Sequence, residues 1–390
     1  MPNRIKSIDA FRAITMLLMI FVNDFWTLSG IPKWLEHATA TEDFIGFSDL
    51  IFPAFLFIVG LSIPLAVAAR RNKGFSNQHI ATHIIFRAFA LLVMGFFLVN
   101  YSNITPELMP ISKAFWTSLM VVAFFLVWMD YRHLGKITLN VQRTLQLIGL
   151  LLLFGLGLIY RSGTETAIAY IQIRWWGILG LIGWAYLLNS LIFLFVGHRL
   201  LFVSFLFVVF HLLHLQEFIP IGEGRPIRLI ISASNYSCVS AGVLAGVLLN
   251  KLKLYPKKLL IVFSVLGLVF LLYGWELRPF WGGFSKIRAT PSWTLVSIGV
   301  SYLTFLIIYV LVDVLNWDAW TRPIKSAGAQ TLTCYVLPYL IYQILVFLDL
   351  IDLPNPIGVG GIGLLKSFLF SFAIIGLAAL LNRYRIRLKI

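Results

Sequence analysis

The sequence predicts an all-α polytopic bundle with about ten to twelve transmembrane helices. Of its 390 residues, 59% are hydrophobic and 12% are charged, whereas soluble domains are about 45–50% apolar and about 25% charged. The mean hydropathy is +0.89. Apolar runs recur from Ala10 to Leu381 without a polar stretch long enough to fold alone. We therefore expect residues 1–390 to form a single transmembrane domain.

Individual spans follow from the lengths of the apolar runs, because a helix needs about 20 residues to cross a bilayer. Segments 144–160 and 199–216 are the shortest, and 199–216 follows its neighbour almost without a loop, so the number of spans could fall to ten or eleven. The predicted segments are 10–28, 47–69, 80–99, 113–130, 144–160, 174–196, 199–216, 230–249, 258–275, 292–313, 328–348 and 364–382.

The basic residues predict the orientation of these spans. The formal net charge is +15, but lysine and arginine stand in short clusters between apolar segments, which indicates topology signals and not a nucleic-acid surface. With a cytoplasmic N-terminus, 20 basic residues fall inside and 10 outside. Because cytoplasmic loops carry the excess of positive charge, both termini are predicted to be cytoplasmic.

The sequence argues against a removed signal peptide, a nucleotide-driven pump and a disulfide. The chain starts without a short apolar segment and cleavage site, so the first helix is predicted to be retained. A Gly-rich phosphate loop is missing from the sequence, which weakens the case for a nucleotide-driven pump. Cys238 and Cys334 fall inside apolar segments and are predicted to be buried thiols.

Polar side chains within or beside hydrocarbon are the first candidates for function, because their burial there is costly. Asp9 and Arg12 lie three residues apart at the start of the first helix, where a capping pair is the simpler interpretation. Asn23 and Asp24 stand near the other end of the same helix, beside a predicted outer loop that contains His37. The proximity of Asn23 and Asp24 to this loop favours a functional site.

Two further groups lie in the first three spans. His37 is the only histidine in the predicted outer loops, and an imidazole can accept a proton near neutral pH. Asp49, at the start of the second span, could orient that imidazole or cap its own helix. Arg87 stands in the middle of the third span, so it either pairs with Asp24 or Asp49 or meets an anionic ligand.

His211, His214 and Glu217 share one helix at intervals of three residues. Both histidines fall on one face, but no further ligands accompany them. Hydrogen bonds between helices are therefore favoured over a metal site, and no metal is expected.

Four sequence runs resemble the heparan-alpha-glucosaminide N-acetyltransferase family, within the broader transmembrane acyltransferases. They are RIKSIDAFR from Arg4, MLLMIFVN up to Asn23, WLEH up to His37, and FSDLIFPAFLFIVG from Phe47. The resemblance is dense over residues 4–70. It continues more loosely through Arg87 and through the runs 176–186 and 286–293.

This resemblance implies that an acetyl group passes from cytoplasmic acetyl-CoA to an amino sugar or glycan on the outer side of the membrane. The active histidine of the family corresponds to His37, and its asparagine corresponds to Asn23. In the wider superfamily an arginine and a histidine stand eleven positions apart on the first helix. Arg12 and Asn23 have that spacing here, so an asparagine stands where the superfamily has its histidine. The chemistry is therefore assigned to His37.

The sequence departs from the family pattern at two places. Ala13 stands where the family usually has glycine, and the segment 38–46 is longer and more acidic than in the animal enzymes. Because that segment should help to shape the acceptor site, the resemblance leaves the acceptor open.

The resemblance and the residue chemistry together give a set of predicted roles. His37 takes the proton of the acceptor amine, Asp49 or Asp24 orients it, and Asn23 donates a hydrogen bond to the acyl oxygen. Direct transfer and an acetyl-histidine intermediate both stay open. The residues predicted to bind the CoA phosphates are Arg87, Arg12, Arg70 and Arg71.

The predicted setting is a bacterial plasma membrane, with the acceptor glycan and membrane lipids as partners and without nucleic acid. The sequence leaves a homodimer open. A transporter of a glycan or lipid-linked precursor is the alternative function, with Arg87 lining its path and no need for CoA. A structural scaffold would not explain why Asn23, Asp24, His37, Asp49 and Arg87 gather in the first three spans.

Overall fold

The computed structural model describes residues 5–133, 137–174, 176–219, 232–350 and 357–390. Arg4 and most of the predicted outer loop 217–229 lie outside these residues. Within them, each of the twelve predicted apolar segments coincides with a helix, which confirms the all-α membrane bundle. The helices are α1 Lys6–Asn23, α2 Ser48–Arg71, α3 Asn77–Tyr101, α4 Lys113–Trp128, α5 Leu139–Ile159, α6 Gly177–Val196, α7 Leu200–Gln216, α8 Ala233–Leu252, α9 Pro256–Glu276, α10 Pro291–Tyr309, the short α11 Lys325–Ala329, α12 Thr331–Phe347 and α13 Gly360–Arg383.

Seven of the helices in the described residues are long and apolar enough to cross a membrane by themselves, namely α2, α3, α5, α6, α9, α10 and α13. The segment 319–329 and α12 make an eighth candidate if this pair, bent by 77°, counts as one span. Helices α4 and α7 are apolar but shorter. Helix α1 carries Lys6, Asp9 and Arg12 in its first two turns, and α8 carries a run of small polar residues.

The chain forms two compact units. Unit 1 comprises Met1–Thr15, Ile31–Ala88 and Ile182–Lys325, and unit 2 comprises Met16–Gly30, Phe89–Leu181 and Ser326–Ile390. Unit 1 therefore holds α2 and α7–α10, and unit 2 holds α4, α5, α12 and α13. The single domain over residues 1–390 and the cytoplasmic position of both termini stay predictions.

Helices α2 and α8 pack backbone against backbone at the centre of unit 1. A Cβ atom on Gly60 would lie 1.9 Å from the Val239 carbonyl oxygen, and one on Gly242 would lie 2.0 Å from the Phe57 carbonyl oxygen. Small residues allow this approach, which is the usual way in which helices associate in lipid. Helix α8 is buried along nearly its whole length. It is therefore the central helix of unit 1.

The start of α1 is held by a side chain from another part of unit 1. Asp313 accepts hydrogen bonds from the backbone N–H groups of Lys6 and Ser7, both at 3.0 Å. These N–H groups belong to the first turn, where a helix lacks internal acceptors and carries a partial positive charge. The Lys6 ammonium also binds Asp318 at 2.7 Å. Asp313 thus caps α1 from 306 residues away along the chain.

Unit 2 is built on the pairing of α4 with α5. The Trp116 indole N–H of α4 donates to the Leu156 carbonyl of α5 at 3.0 Å. A two-stranded antiparallel hairpin, β1 Ser162–Thr164 and β2 Ala167–Ala169, follows α5. Asp130 binds Arg387 at 2.8 Å and Lys389 at 3.1 Å. Burial raises the pKa of Asp130, but these two cations hold it well below its ordinary value.

Two smaller expectations are confirmed. Cys238 and Cys334 are free and buried. His214 Nε2 lies 2.7 Å from the Ala289 carbonyl oxygen, and His211 Nε2 lies 3.5 Å from the hydroxyl of Tyr273 on α9. The His211 contact is of the predicted kind, between helices, whereas His214 contacts the loop that precedes α10.

We expect Gly242→Ala to destabilise the protein, because its methyl group has no room beside the Phe57 carbonyl and α2 must move. Overpacking of this kind costs about 1–3 kcal/mol. Gly155→Ala on α5 is the matched control, since nothing lies within 4 Å of its added Cβ. Thermal unfolding in detergent, followed by fluorescence-detected size exclusion, should show a lower midpoint for Gly242→Ala only. Equal midpoints for the two variants would contradict the close packing of α2 and α8.

Candidate active site

His37 and Asp49 form a hydrogen-bonded pair in unit 1. His37 Nδ1 lies 2.8 Å from Asp49 Oδ1. The Asp49 side chain is fully buried, whereas 42% of the His37 side chain is exposed. Because a carboxylate can only accept, this bond requires the proton on Nδ1, which would leave the lone pair on Nε2. A histidine fixed in this way can act as a base.

Asp49 also holds the loop that carries His37. Its second oxygen, Oδ2, accepts the backbone N–H groups of Ala38 at 3.0 Å and Gly46 at 3.1 Å. A Cβ atom on Gly46 would lie 1.8 Å from the Glu36 carbonyl oxygen, so this position requires glycine. Asp49 lies in the first turn of α2, where the helix dipole favours an anion. The carboxylate therefore orients the imidazole and closes the loop at the same time.

A second loop of unit 1, residues 277–290 between α9 and α10, reaches the same pair. Lys286 Nζ lies 3.0 Å from His37 Nδ1 and 3.8 Å from Asp49 Oδ1. Burial lowers the pKa of Lys286, and the Asp49 carboxylate opposes that effect. The Trp293 indole N–H donates to the Asp49 carbonyl at 3.3 Å. Lys286 and Trp293 thus complete the surroundings of the pair.

The two loops are joined by an ion pair. Arg278 Nε lies 3.0 and 2.9 Å from the two carboxylate oxygens of Asp43, and the Phe284 N–H donates to Asp43 at 2.6 Å. Partial burial raises the pKa of Asp43, but the Phe284 N–H and the Arg278 guanidinium more than offset this, so its pKa is lowered. These contacts hold the His37 loop against the loop that carries Lys286.

The predicted residues Asn23 and Asp24 lie in unit 2. Asn23 is the exposed last residue of α1. Asp24 is 1% exposed, and its oxygens are bound by the Tyr342 hydroxyl, by Ser367 Oγ at 2.6 Å and by Lys366 Nζ at 3.1 Å. Of the two carboxylates that the sequence left open as partners of His37, the structure pairs Asp49 with it.

Arg87 lies beside an aromatic ring in unit 1. Its guanidinium carbon is 5.0 Å from the centroid of the Tyr186 ring, which is a cation–π contact. Its Nε atom is buried and has no hydrogen-bond partner among the described residues. An unpaired buried donor of this kind suits an anionic ligand. Of the alternatives that the sequence left open for Arg87, pairing with Asp49 is not observed, since Asp49 binds His37 and the loop instead.

The other predicted arginines occupy different surroundings in unit 1. Arg12 donates to Ser62 Oγ at 2.8 Å and lies 3.4 Å from Asp9, as expected for a capping pair. Arg71 binds the Asn77 side chain and the Leu194 carbonyl. Arg70 is half-buried at the end of α2. Their roles in CoA binding stay predictions.

Sequence reasoning named His37 and Asp49 but missed Lys286. The run 286–293 resembles the family, which marked this stretch, yet nothing in the sequence showed that a lysine 249 residues away would reach His37. Lys366 and Ser367 were likewise missed as partners of Asp24. Among the described residues, no group of three or more His, Cys, Asp or Glu side chains could hold a metal ion.

Comparison with known proteins shows that the segment containing the His37 loop is similar to a catalytic family. Residues 4–109 match the family model described as heparan-alpha-glucosaminide N-acetyltransferase, catalytic. The human heparan-alpha-glucosaminide N-acetyltransferase is 35% identical over 100 residues, which are 26% of this chain and 14% of that protein. The mouse protein of the same name is 33% identical over 98 residues, which are 25% of this chain and 14% of its own length.

The predicted resemblance is therefore confirmed over residues 4–109. This chain aligns with about one-seventh of the length of these curated relatives. The matched segment contains His37, Asp49 and Arg87. The run around Lys286 lies outside it, so the resemblance of residues 286–293 to the family stays a prediction.

We expect Asp49→Ala to release the His37 loop, because the N–H groups of Ala38 and Gly46 lose their acceptor. An unpaired buried donor costs about 1–3 kcal/mol. Hydrogen exchange measured by mass spectrometry should show faster exchange in peptides that cover residues 35–47. Glu36→Ala, which changes an exposed side chain in the same loop, is the control. Unchanged exchange in Asp49→Ala would mean that other contacts hold the loop.

Proposed function

We propose that this chain is a membrane-embedded acyltransferase. It transfers the acetyl group of cytoplasmic acetyl-CoA to the amine of an amino sugar or glycan on the outer side of a bacterial plasma membrane. The observation that carries the proposal is the pair of His37 with buried Asp49, which lies inside the segment that matches an N-acetyltransferase catalytic family. The geometry supplies a base, and the match supplies the reaction class.

The reaction needs little beyond positioning and one base, because a thioester is already activated. The acceptor nitrogen attacks the thioester carbonyl, so a C–N bond forms and the C–S bond breaks. His37 Nε2 takes the proton that the amine loses, while Nδ1–H keeps its bond to Asp49. The proton then passes to the leaving CoA thiolate, which restores the neutral imidazole. An acetyl-histidine intermediate would use the same lone pair as a nucleophile.

The donor is assigned to the opposite end of α2. Asp49 and Arg70 are 21 residues apart on this helix, which corresponds to roughly 30 Å along its axis. That distance is about the thickness of the hydrocarbon core. The proposal therefore puts the CoA phosphates near Arg70 and Arg71 on one face of the membrane, and the proton transfer at His37 on the other face.

Arg87 supports this arrangement because it lies between the two faces. It is ten residues from the start of α3, or roughly 15 Å along the axis. Its buried, unpaired Nε and the Tyr186 ring beside it form an environment that fits a phosphate or another anionic part of the donor. We assign Arg87 to donor binding, and Arg12 to the same group because a guanidinium suits phosphate recognition.

The role of Asn23 follows from the resemblance alone. As an amide, it would donate a hydrogen bond to the oxygen of the acyl group and so stabilise the charge that develops there. Its exposed position at the end of α1 leaves the amide accessible. For Asp24, the bonds to Tyr342, Ser367 and Lys366 support a role in fixing the end of this helix next to Asn23.

We expect His37→Ala to lose acetyl transfer while it still binds acetyl-CoA. Removal of a general base lowers turnover by about 10²–10⁴-fold, and the donor residues are untouched. Transfer from radiolabelled acetyl-CoA to glucosamine by the purified protein in detergent measures turnover. The control is His79→Ala, an exposed histidine at the start of α3. Wild-type turnover in His37→Ala would remove this histidine from the mechanism.

We expect Arg87→Ala to weaken acetyl-CoA binding by about 10–100-fold, the loss of one or two charge-assisted hydrogen bonds. Arg87→Lys should recover part of the affinity, and Arg322→Ala, which removes an exposed arginine, should keep all of it. Isothermal titration in detergent measures the dissociation constants. If well-folded wild-type protein binds no acetyl-CoA, the donor is wrong, and flux assays in vesicles would then test the transporter alternative.

A further inference from the structure

Lys286 makes the surroundings of His37 unusual for a base. Its ammonium lies 3.0 Å from Nδ1 of His37 and 3.8 Å from Oδ1 of Asp49, and 26% of its side chain is exposed. The same Nδ1 atom lies 2.8 Å from Asp49 Oδ1. One ring nitrogen thus has a cation and an anion as close neighbours, and its single proton can satisfy only one of two arrangements.

In the first arrangement Nδ1 carries the proton and donates to Asp49. In the second, Lys286 donates to a bare Nδ1, and the lone pairs of Nδ1 and Asp49 Oδ1 then face each other at 2.8 Å. Each arrangement leaves one repulsive contact, because in the first arrangement the Lys286 ammonium lies 3.0 Å from the protonated Nδ1. The second is the less favourable, because its repulsive contact is shorter and involves the fully buried Asp49 carboxylate, whereas 26% of the Lys286 side chain is exposed and therefore better screened. Nδ1–H therefore binds Asp49, and the Lys286 ammonium interacts with the carboxylate from the side.

This choice fixes the electrostatics of the imidazole. Asp49 alone would favour a proton on Nε2 as well, because an imidazolium beside a buried carboxylate is stabilised. Such a histidine could not accept the proton of an amine. Lys286 opposes this by offsetting the charge of Asp49, so that the three side chains carry no net charge when His37 is neutral.

We propose that Lys286 is a positioning residue that keeps His37 unprotonated, with the lone pair of Nε2 free for the acceptor amine. The proposal rests on the proposed role of His37 as the base. It gives the loop between α9 and α10 an indirect part in the chemistry, through His37, although the matched family segment ends at residue 109.

The other charges near this site have other partners. Arg288, on the same loop, binds the Gly282 carbonyl and helps to lower the pKa of Asp43, so Lys286 is the lysine or arginine of the described residues that lies within 4 Å of Asp49. Asp43 and Arg278 neutralise each other across the two loops. Lys33 pairs with Glu42 within the His37 loop. Glu36 precedes His37 but is exposed to solvent, and Trp293, from the start of α10, is uncharged.

The pH dependence of His37 modification by diethyl pyrocarbonate tests this proposal without any assay of transfer. The reagent attacks an unprotonated imidazole, and mass spectrometry of the peptide that carries His37 separates it from the other histidines. In Lys286→Met the midpoint of the pH profile should rise by about one unit, because a cation about 3 Å away no longer opposes protonation. At the wild-type midpoint, the rate of modification should fall about fivefold.

Two variants control the experiment. Lys286→Arg keeps the charge and should keep the midpoint close to that of the wild type. Lys33→Met removes a lysine from the His37 loop that binds Glu42 and not His37, so its midpoint should not move. An unchanged or lower midpoint in Lys286→Met would overturn the proposal. If thermal unfolding shows that Lys286→Met is misfolded, Lys286→Ala takes its place. A midpoint in Lys286→Ala equal to that of the wild type would also overturn the proposal.

The transfer assay adds an arm that separates this inference from the proposed function. If the wild type transfers acetyl groups, Lys286→Met should shift the rising limb of the kcat profile to higher pH, with little change in the KM for acetyl-CoA. A merely structural lysine would lower activity at every pH without such a shift, and that result would overturn the inference. If the wild type transfers nothing, the proposed function fails, while the modification profile still decides the effect of Lys286 on His37.

Discussion

The geometry of the candidate site depends on one buried carboxylate. Asp49 stands in the first turn of α2 with no exposed surface, and such burial is tolerated only when the charge is fully bonded. Its partners are an imidazole, an ammonium and two backbone N–H groups. Because every one of them comes from a loop, the need to satisfy this single charge brings two loops to the same place and fixes His37 between them.

The helices of unit 1 make that carboxylate rigid. Helix α2 packs so closely on α8 that glycine is required at the contact points Gly60 and Gly242. A helix held by backbone contact cannot rotate or slide without a clash, so Asp49 stays at one depth and in one direction. Trp293 at the start of α10 adds a hydrogen bond to the Asp49 carbonyl. The site thus consists of two loops that are anchored to a rigid base of packed helices.

Paired charges recur where helices end. Asp313 caps α1, Asp24 binds Lys366 at the end of α1, and Asp130 binds Arg387 and Lys389. Each acid accepts from, or pairs with, donors at the end of a helix or in the segment beside it. Arg87 differs, because its Nε is buried without a partner among the described residues. The three acids therefore have partners within the protein, whereas Arg87 is suited to bind a ligand.

The sequence by itself determined the helical membrane class and the positions of the twelve apolar segments, and it singled out His37, Asp49 and Arg87 as candidate site residues. Hydropathy and local spacing decide these features, since a run of about 20 apolar residues has few alternatives in a bilayer. Only the tertiary structure decided that Asp49 and not Asp24 pairs with His37, and that Lys286 joins them. Such contacts depend on helix packing across 249 residues of chain, and no local pattern in the sequence records which distant side chain will satisfy a buried charge.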